Sequence, residues 1–438
     1  MRRQIEGSRA VAEAVAACRP EVVCAYPISP QTHIIERLGV LVKTGALAPC
    51  EFVNVESEFA AMSVCIGASA AGARAYTATA SQGLLFMIEA VYNAAGLGLP
   101  IVMTVANRAI GAPINIWNDH SDAMAVRDAG WLQLFAESNQ EAADLHVQAF
   151  RLAEELSVPV MVNMDGFVLT HAFEAVEVPD PVLVDRFLPP YEPRQVLDPA
   201  DPVSIGAMVG PEAFEEVRYL GHHKQLQALD AVPEVAAAFA ETFGRQAGGL
   251  VQPYRTEDAE TVVVAMGSVL GTVKDVVDEL RGIAAFDGHA GRDPVGRIGV
   301  LGISTFRPFP AAAVRAALAG ARRVVVLEKA MAPGAGGILA ADVALALAGE
   351  DAVVHSVVGG LGGRPITSAS LRTLLTEAHA GWLGRLTFLD LRHDLVDGEL
   401  ARMAATRRSG PSAENLLRHR IGSGNGAGSA LPAEGAGA

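Results

Sequence analysis

Glu58 is a residue whose type and surroundings suggest chemistry. It opens a predicted helix, EFAAMSVCIGASAAG, that is rich in alanine, serine, glycine and cysteine. Small side chains allow a second backbone or a flat ring to approach a helix closely, and a carboxylate at its start could hold one defined ring nitrogen. The alternative is a surface glutamate that the helix dipole favours at a helix N-terminus.

Arg108 and Ser29 are further candidates for binding a small acid. Arg108 follows a predicted strand that is the most hydrophobic in the chain, where a guanidinium suits bidentate capture of a carboxylate. A structural ion pair with Asp119 or Asp122 is the alternative. Ser29 stands between two prolines in YPISP and could donate a hydrogen bond to a carboxylate or carbonyl, or be an ordinary turn residue.

Several segments exclude particular kinds of site. The polar segment NIWNDHSD has one histidine and irregularly spaced aspartates, which favours an active-site loop or subunit contact over a metal site. The glycine-rich turns lack the GxGxxG and GxxxxGK[ST] patterns, and no GDG followed by a distant asparagine is present to carry a magnesium diphosphate. The four cysteines contain no CxxC pair, so the chain lacks ligands for its own iron–sulfur cluster.

The elements that position these residues alternate between strands and helices over the first 180 residues. This alternation predicts a doubly wound parallel α/β sheet, in which ligands bind beyond the carboxyl ends of the strands. A proline-rich connector follows, with one or two helices between Phe214 and Phe243. Regular alternation resumes near residue 258 and predicts a second α/β domain, with one strand at Arg323–Glu328.

Composition limits the classes of partner. The net charge of −15 argues against binding to nucleic acid or to an anionic membrane surface. The longest apolar run is interrupted by Glu89, Asn93 and Pro100, so we expect no membrane span. The first residues contain no secretory signal pattern, and we expect a cytoplasmic protein.

Seven segments together resemble one family. The segments are YPISPQTHIIERL, VESEFAAMSVCIGASAAGARAYTATASQGL, NRAIGAPINIWNDHSD, MDGFVLTH, MGSVLGTVKDVVDEL, FRPFP and VGGLGGR. They are similar to the α subunit of 2-oxoacid:ferredoxin oxidoreductases, a family that includes pyruvate:ferredoxin oxidoreductase. The likeness spans roughly residues 5–375 in order. It implies thiamine-diphosphate-dependent oxidative decarboxylation of a 2-oxoacid to an acyl-CoA and CO₂, with electrons passing to iron–sulfur clusters.

The resemblance also implies a domain organisation. It predicts a pyrimidine-binding domain at 1–180, a connector at 181–257 and a transketolase C-terminal-like domain at 258–375, followed by a C-terminal extension at 376–421. The low-complexity composition of 422–438 predicts a disordered tail.

The same resemblance implies that this chain provides half of an active site. Thiamine diphosphate would contact it through the pyrimidine end, while Mg²⁺ and the diphosphate would lie on a β subunit. The [4Fe-4S] clusters would lie on partner subunits, which include a γ subunit, a ferredoxin-like subunit and, in some complexes, a flavin subunit. Coenzyme A is the implied co-substrate, and ferredoxin or NAD the final acceptor.

Roles for individual residues follow from the resemblance. Glu58 resembles the glutamate that hydrogen-bonds N1′ of the aminopyrimidine, and Arg108 resembles the arginine that binds the substrate carboxylate. Ser29 occupies a position where pyruvate enzymes commonly have threonine, which leaves the substrate open. The predicted cofactor contacts are Glu58, Pro27, Ile28, Ser81, Gln82 and Gly83.

Pyruvate is the default substrate of this family, and phenylglyoxylate and branched-chain 2-oxoacids are alternatives because small changes in pocket volume decide among them. Two other interpretations remain open at this point. One is the β-type subunit of a lipoyl-linked 2-oxoacid dehydrogenase, which has the same two-domain layout. The other is a non-catalytic scaffold that organises cluster-bearing partners.

Overall fold

The structure is a computed structural model that describes residues 2–283, 295–406 and 412–422. The chain divides into two compact units, Met1–Leu389 and Asp390–Ala438. The predicted disordered tail, apart from its first residue, lies outside the described residues. The domain boundaries drawn from the sequence within the larger unit remain predictions.

The strands follow the predicted alternation and add several short ones. In chain order they are β1 Arg3–Glu6, β2 Val22–Cys24, β3 Glu51–Val53, β4 Ala75–Thr79, β5 Ile101–Asn107, β6 Leu132–Phe135, β7 Val160–Asp165, β8 Phe173–Val176, β9 Val251–Tyr254, β10 Thr261–Ala265, β11 Ile298–Ile303, β12 Thr305–Arg307, β13 Arg323–Glu328, β14 Val353–Val358 and β15 Leu386–Phe388.

The helices vary widely in length, and α9 alone runs for 30 residues. In chain order they are α1 Gly7–Ala17, α2 Thr32–Lys43, α3 Glu58–Ala70, α4 Ser81–Phe86, α5 Ile88–Gly96, α6 Ser121–Ala125, α7 Asn139–Leu156, α8 Pro181–Phe187, α9 Phe214–Phe243, α10 Val269–Leu280, α11 Ala311–Ala317, α12 Ile338–Ala346, α13 Ser368–Ala380, α14 His393–Ala405 and α15 Ser412–Gly422. The last two belong to the smaller unit.

Two mixed sheets organise the larger unit. The first has the strand order β12-β6-β7-β5-β4-β2-β3 and is parallel except for β12. The second has the order β15-β14-β13-β10-β11-β9 and is parallel except for β9. A two-stranded antiparallel ribbon joins β1 to β8. The α/β fold class predicted from the sequence is confirmed.

The first sheet is buried on both faces, as a doubly wound arrangement requires. Its central strand β5, with the sequence IVMTVAN, is buried along its whole length. One face packs mainly on α1, α2 and α7, and the other on α3, α4 and α5, while α9 packs outside α7. Because its strands run parallel apart from β12, the polar side chains that follow them collect at the carboxyl edge of the sheet, where the candidate site lies.

Candidate active site

The turn after β2 brings Pro27, Ile28 and Ser29 to the carboxyl edge of the first sheet. Gln31 fixes this turn, because its side-chain amide donates to the carbonyl oxygens of Tyr26 at 2.8 Å and Ala78 at 3.2 Å. Gln31 is fully buried, whereas Ser29 is exposed. The sequence analysis did not select Gln31, although a buried amide behind two prolines is what orients Ser29.

Glu58 is the first residue of α3, and Ser57 caps that helix by accepting a hydrogen bond from the Ala60 N–H at 3.2 Å. The Glu58 side chain is only 8% exposed, and its carboxylate has no hydrogen-bond or ion-pair partner among the described residues. A largely buried carboxylate is stabilised by a polar partner, and the described part of the chain does not supply one. A ring nitrogen of a bound cofactor would be such a partner.

Gly83 lies directly against Glu58. A Cβ atom on Gly83 would stand 2.8 Å from Glu58 Oε1 and 2.5 Å from Thr79 Oγ1. The Thr79 hydroxyl is buried and likewise has no partner among the described residues. Only glycine therefore leaves α4 close to the carboxylate, and the residues present fit a flat ring held at Glu58.

Ser81 begins α4 with a backbone φ of +49°, which is uncommon for a residue other than glycine. The Asp122 carboxylate accepts the Ser81 N–H at 2.9 Å, and the Ser81 hydroxyl lies 2.5 Å from the carbonyl oxygen of Ala109. The Gln82 side chain contacts the Ser81 hydroxyl. These contacts join the start of α4 to the segment that carries Arg108.

Arg108 follows β5 and is 7% exposed. Its Nη1 donates to the carbonyl oxygen of Ser29 at 2.9 Å and its Nε donates to that of Asn115 at 3.0 Å. Burial lowers the pKa of the guanidinium, and the nearby Asp122 carboxylate opposes this shift. The predicted acid binder and Ser29 thus lie side by side, and Nη2 has no hydrogen-bond partner within the described part of the chain.

Asp122 joins the two halves of the site. It is fully buried, and its oxygens accept the N–H groups of Ser81, Arg108 and Ala123 and the side-chain amide of Asn107, at 2.8–3.0 Å. Burial raises its pKa, and these hydrogen bonds act in the opposite direction. The sequence placed Asp122 in the polar segment 115–122 and offered it as an ion-pair partner of Arg108, but the carboxylate binds that residue through its backbone.

The segment 115–122 also contacts the second sheet's loops. Lys329, which follows β13, donates to Asp165 Oδ2 at 2.6 Å and to Asn118 Oδ1 at 3.0 Å. The His120 imidazole lies 2.7 Å from the other oxygen of Asp165. Burial raises the pKa of Asp165, but the charges of Lys329 and His120 outweigh it and hold the pKa well below its ordinary value.

Comparison with known proteins identifies the family of this chain. Residues 13–237 match the family described as "Pyruvate flavodoxin/ferredoxin oxidoreductase, thiamine diP-bdg", and residues 259–371 match "Pyruvate:ferredoxin oxidoreductase core domain II". The pyruvate synthase subunit PorA of Methanosarcina barkeri is 47% identical over 402 residues, which cover 90% of this chain and 97% of that protein. The chain belongs to the pyruvate:ferredoxin oxidoreductase family.

Other relatives extend this result within the family. PorA of Thermotoga maritima is 46% identical over 86% of this chain and 94% of that protein. The ketoisovalerate oxidoreductase subunit VorA of Pyrococcus abyssi is 37% identical over 86% and 93%. The α-subunit family predicted from the motifs is confirmed, and the chain is a subunit of a 2-oxoacid oxidoreductase, an enzyme that acts as a complex.

A solved structure of the family has the same fold. The 2-oxoglutarate:ferredoxin oxidoreductase from Magnetococcus marinus aligns with a TM-score of 0.66 at 19% identity. The alignment covers 86% of this chain and 65% of that chain, so the present protein spans about two thirds of its length.

No helix within the described residues is long and apolar enough to cross a bilayer.

Proposed function

We propose that this chain is the pyrimidine-binding subunit of a pyruvate:acceptor oxidoreductase, which converts pyruvate and coenzyme A to acetyl-CoA and CO₂. The observation that carries the proposal is the buried, unpartnered carboxylate of Glu58 beside Gly83. Relatives named pyruvate synthase are 40–47% identical to this chain, and the ketoisovalerate relative is 37% identical. The higher identity supports pyruvate over a branched-chain acid.

Glu58 would hold the aminopyrimidine of thiamine diphosphate by sharing a proton with N1′. When bound, the cofactor supplies the electron sink needed to break the bond between the carbonyl carbon and the carboxylate of a 2-oxoacid. Gly83 lets the first turn of α4 lie close to this carboxylate without a clash. The rest of the pocket wall on this chain would be formed by Ser81, Gln82, Pro27 and Ile28.

Arg108 would bind the substrate carboxylate. Two of its nitrogens already donate to backbone carbonyls, which fixes the plane of the guanidinium and leaves Nη2 to form a charge-assisted hydrogen bond. The exposed Ser29 hydroxyl lies on the same turn and would donate to the carbonyl or carboxylate oxygen of the substrate. Together they orient the bond that is to break.

A partner subunit would close this half-site. Large apolar side chains are exposed on the loops that flank the candidate residues and at the end of α4: Tyr26 38%, Phe86 60%, Ile114 80% and Trp117 53%. Exposed apolar patches often mark interfaces. We propose that a β subunit carrying the diphosphate and Mg²⁺ covers them. The [4Fe-4S] clusters would lie on partner subunits, one of them ferredoxin-like. A γ subunit and, in some complexes, a flavin subunit would complete the assembly, with ferredoxin or NAD as acceptor.

The test uses the native complex, isolated without oxygen through a tag on this chain. Coenzyme-A-dependent viologen reduction is measured with pyruvate, 2-oxoisovalerate, 2-oxoglutarate and phenylglyoxylate in parallel. We expect pyruvate to have the highest kcat/KM. A higher kcat/KM with 2-oxoisovalerate or phenylglyoxylate would overturn the substrate assignment, and a tagged preparation without thiamine diphosphate would overturn the proposed role of the chain.

A further inference from the structure

Glu6, His33 and His171 form a second cluster of chemically capable side chains, separate from Glu58 and Arg108. Glu6 ends β1, His33 lies in the first turn of α2, and His171 lies between β7 and β8. One ligand atom from each residue lies within 4.8 Å of the other two. His33 Nδ1 is 2.6 Å from Glu6 Oε1, and the two imidazole rings are 4.7 Å apart between centroids.

Glu6 and His171 each have a neighbour that orients them. The hydroxyl of the buried Thr170 lies 2.8 Å from His171 Nδ1, which leaves Nε2 of that ring available. Arg9 Nε lies 3.4 Å from Glu6 Oε2, so Glu6 offers Oε1. Hydrogen bonds to the second atom of a ligand are typical of metal sites, because they fix the ligand's direction.

Two imidazoles and one carboxylate are a donor set suited to Zn²⁺ or Fe²⁺. Ligand atoms at about 2.1 Å from a tetrahedral ion are about 3.4 Å apart, so binding requires changes of up to about 1.4 Å in the distances between these atoms. The His33 side chain is 46% exposed and has room to move.

We propose that Glu6, His33 and His171 bind one divalent transition-metal ion, for which Zn²⁺ is the best match. The ion would have three protein ligands and would connect three segments: the end of β1, the start of α2 and the turn after β7. Because α2 directly follows the turn that carries Ser29, the ion would stiffen one wall of the pocket. It would take no part in electron transfer.

The test uses the purified full-length chain after treatment with a chelator, with Zn²⁺ and Co²⁺ as probes. We expect one equivalent of Zn²⁺ to bind and to raise the unfolding temperature, since a ligand specific to the native state stabilises it. Bound Co²⁺ should show d–d absorption without a thiolate charge-transfer band, which distinguishes the site from the cysteines. His33→Ala and His171→Ala should each weaken binding at least about 10-fold.

His223→Ala is the matched control, because that exposed histidine of α9 lies in no such cluster among the described residues. It should leave Zn²⁺ binding unchanged. If His171→Ala unfolds the metal-free chain, His33→Ala and Glu6→Gln decide the question, since their folding can be checked without metal. Absence of stoichiometric binding, or binding that neither variant weakens, would overturn the proposal.

Discussion

Asp122 holds Arg108 by its backbone, with Oδ2 accepting the Arg108 N–H at 2.9 Å. The same oxygen accepts the N–H of Ser81, also at 2.9 Å. One buried carboxylate oxygen therefore sets the distance between the proposed substrate-binding residue and the start of α4, where Gly83 approaches Glu58. Substrate and cofactor contacts on this chain depend on the same acceptor.

Asp122→Asn tests this dependence. The amide keeps one acceptor oxygen but turns an NH₂ group toward backbone or side-chain donors, and a buried donor left unsatisfied costs about 1–3 kcal/mol. We expect a higher KM for the 2-oxoacid and a lower unfolding temperature in an assembled complex. Asp128→Asn, at a side chain that is 70% exposed, is the control. An unchanged KM would show that Asp122 has only a structural role.

The sequence predicted the individual helices and strands more completely than it predicted which strands pair with each other. Strand Arg323–Glu328 coincides with β13, and the helical region between Phe214 and Phe243 is the single helix α9. In contrast, β12 at Thr305–Arg307 lies beyond the predicted connector yet pairs antiparallel with β6 in the first sheet. A three-residue strand has too little pattern to be recognised, and its partner is set by tertiary packing.

Glu58→Gln tests the proposed proton-sharing role. Glutamine keeps the size of the side chain but cannot take or give the proton at N1′, so we expect kcat to fall by about 100- to 10 000-fold while the complex still assembles. Glu56→Gln, an exposed glutamate two residues earlier, should leave kcat near the wild-type value. Nearly unchanged turnover in the Glu58 variant would support a non-catalytic scaffold instead.

Arg108→Ala tests the carboxylate-binding role. Loss of a charge-assisted hydrogen bond to the substrate should lower kcat/KM by roughly 10- to 100-fold, mainly through KM, while thiamine diphosphate remains bound. Arg19→Ala, at an exposed side chain away from this edge of the sheet, serves as the control. A KM equal to that of the wild type would remove Arg108 from the proposed role.

The ion cluster around Asp165 could not be read from the sequence, because its members are far apart along the chain. Asp165 and Lys329 are separated by 164 positions and meet only where loops of the two sheets touch. Strand Arg323–Glu328, predicted from the sequence, places Lys329 directly after a strand, but the sequence does not specify which strand end lies opposite it. The polar segment 115–122, which the sequence predicts to be an active-site loop or subunit contact, lies at that junction.

Asp165→Asn should lower the stability of the chain by about 3–5 kcal/mol at neutral pH, because Lys329 would lose its buried partner. The pKa of Asp165 in the folded state is held below its ordinary value of 3.8, so this contribution is present above pH 3.8. It is lost as the pH falls through the folded-state pKa. The difference in unfolding temperature between wild type and variant should persist at pH 5 and narrow below pH 3.8.

Asp185→Asn is the control for this pH dependence, since Asp185 forms an exposed ion pair with Arg19. Exposed pairs contribute about 0–1 kcal/mol, so its unfolding temperature should follow that of the wild type at every pH. The assigned pKa direction would be contradicted if the difference in unfolding temperature between the wild type and Asp165→Asn were the same at pH 5 and pH 3.

Gly83→Ala tests whether close approach of α4 to Glu58 is needed for activity. The added methyl group would stand 2.8 Å from Glu58 Oε1 and 2.5 Å from Thr79 Oγ1, so the carboxylate or the helix must move. A displacement near 1 Å in a catalytic group can cost about 100-fold in rate, and we expect a loss of that order in kcat with weaker binding of thiamine diphosphate.

Gly67→Ala provides the matched control, because Gly67 lies within α3 and a Cβ there would meet nothing within 4 Å. That change should increase stability by about 0.5–1 kcal/mol, since alanine loses less backbone entropy in a helix than glycine does. Activity should stay unchanged. If Gly83→Ala also kept full activity and cofactor affinity, Glu58 would not need the approach of α4, and the proposed pocket wall would have to lie elsewhere.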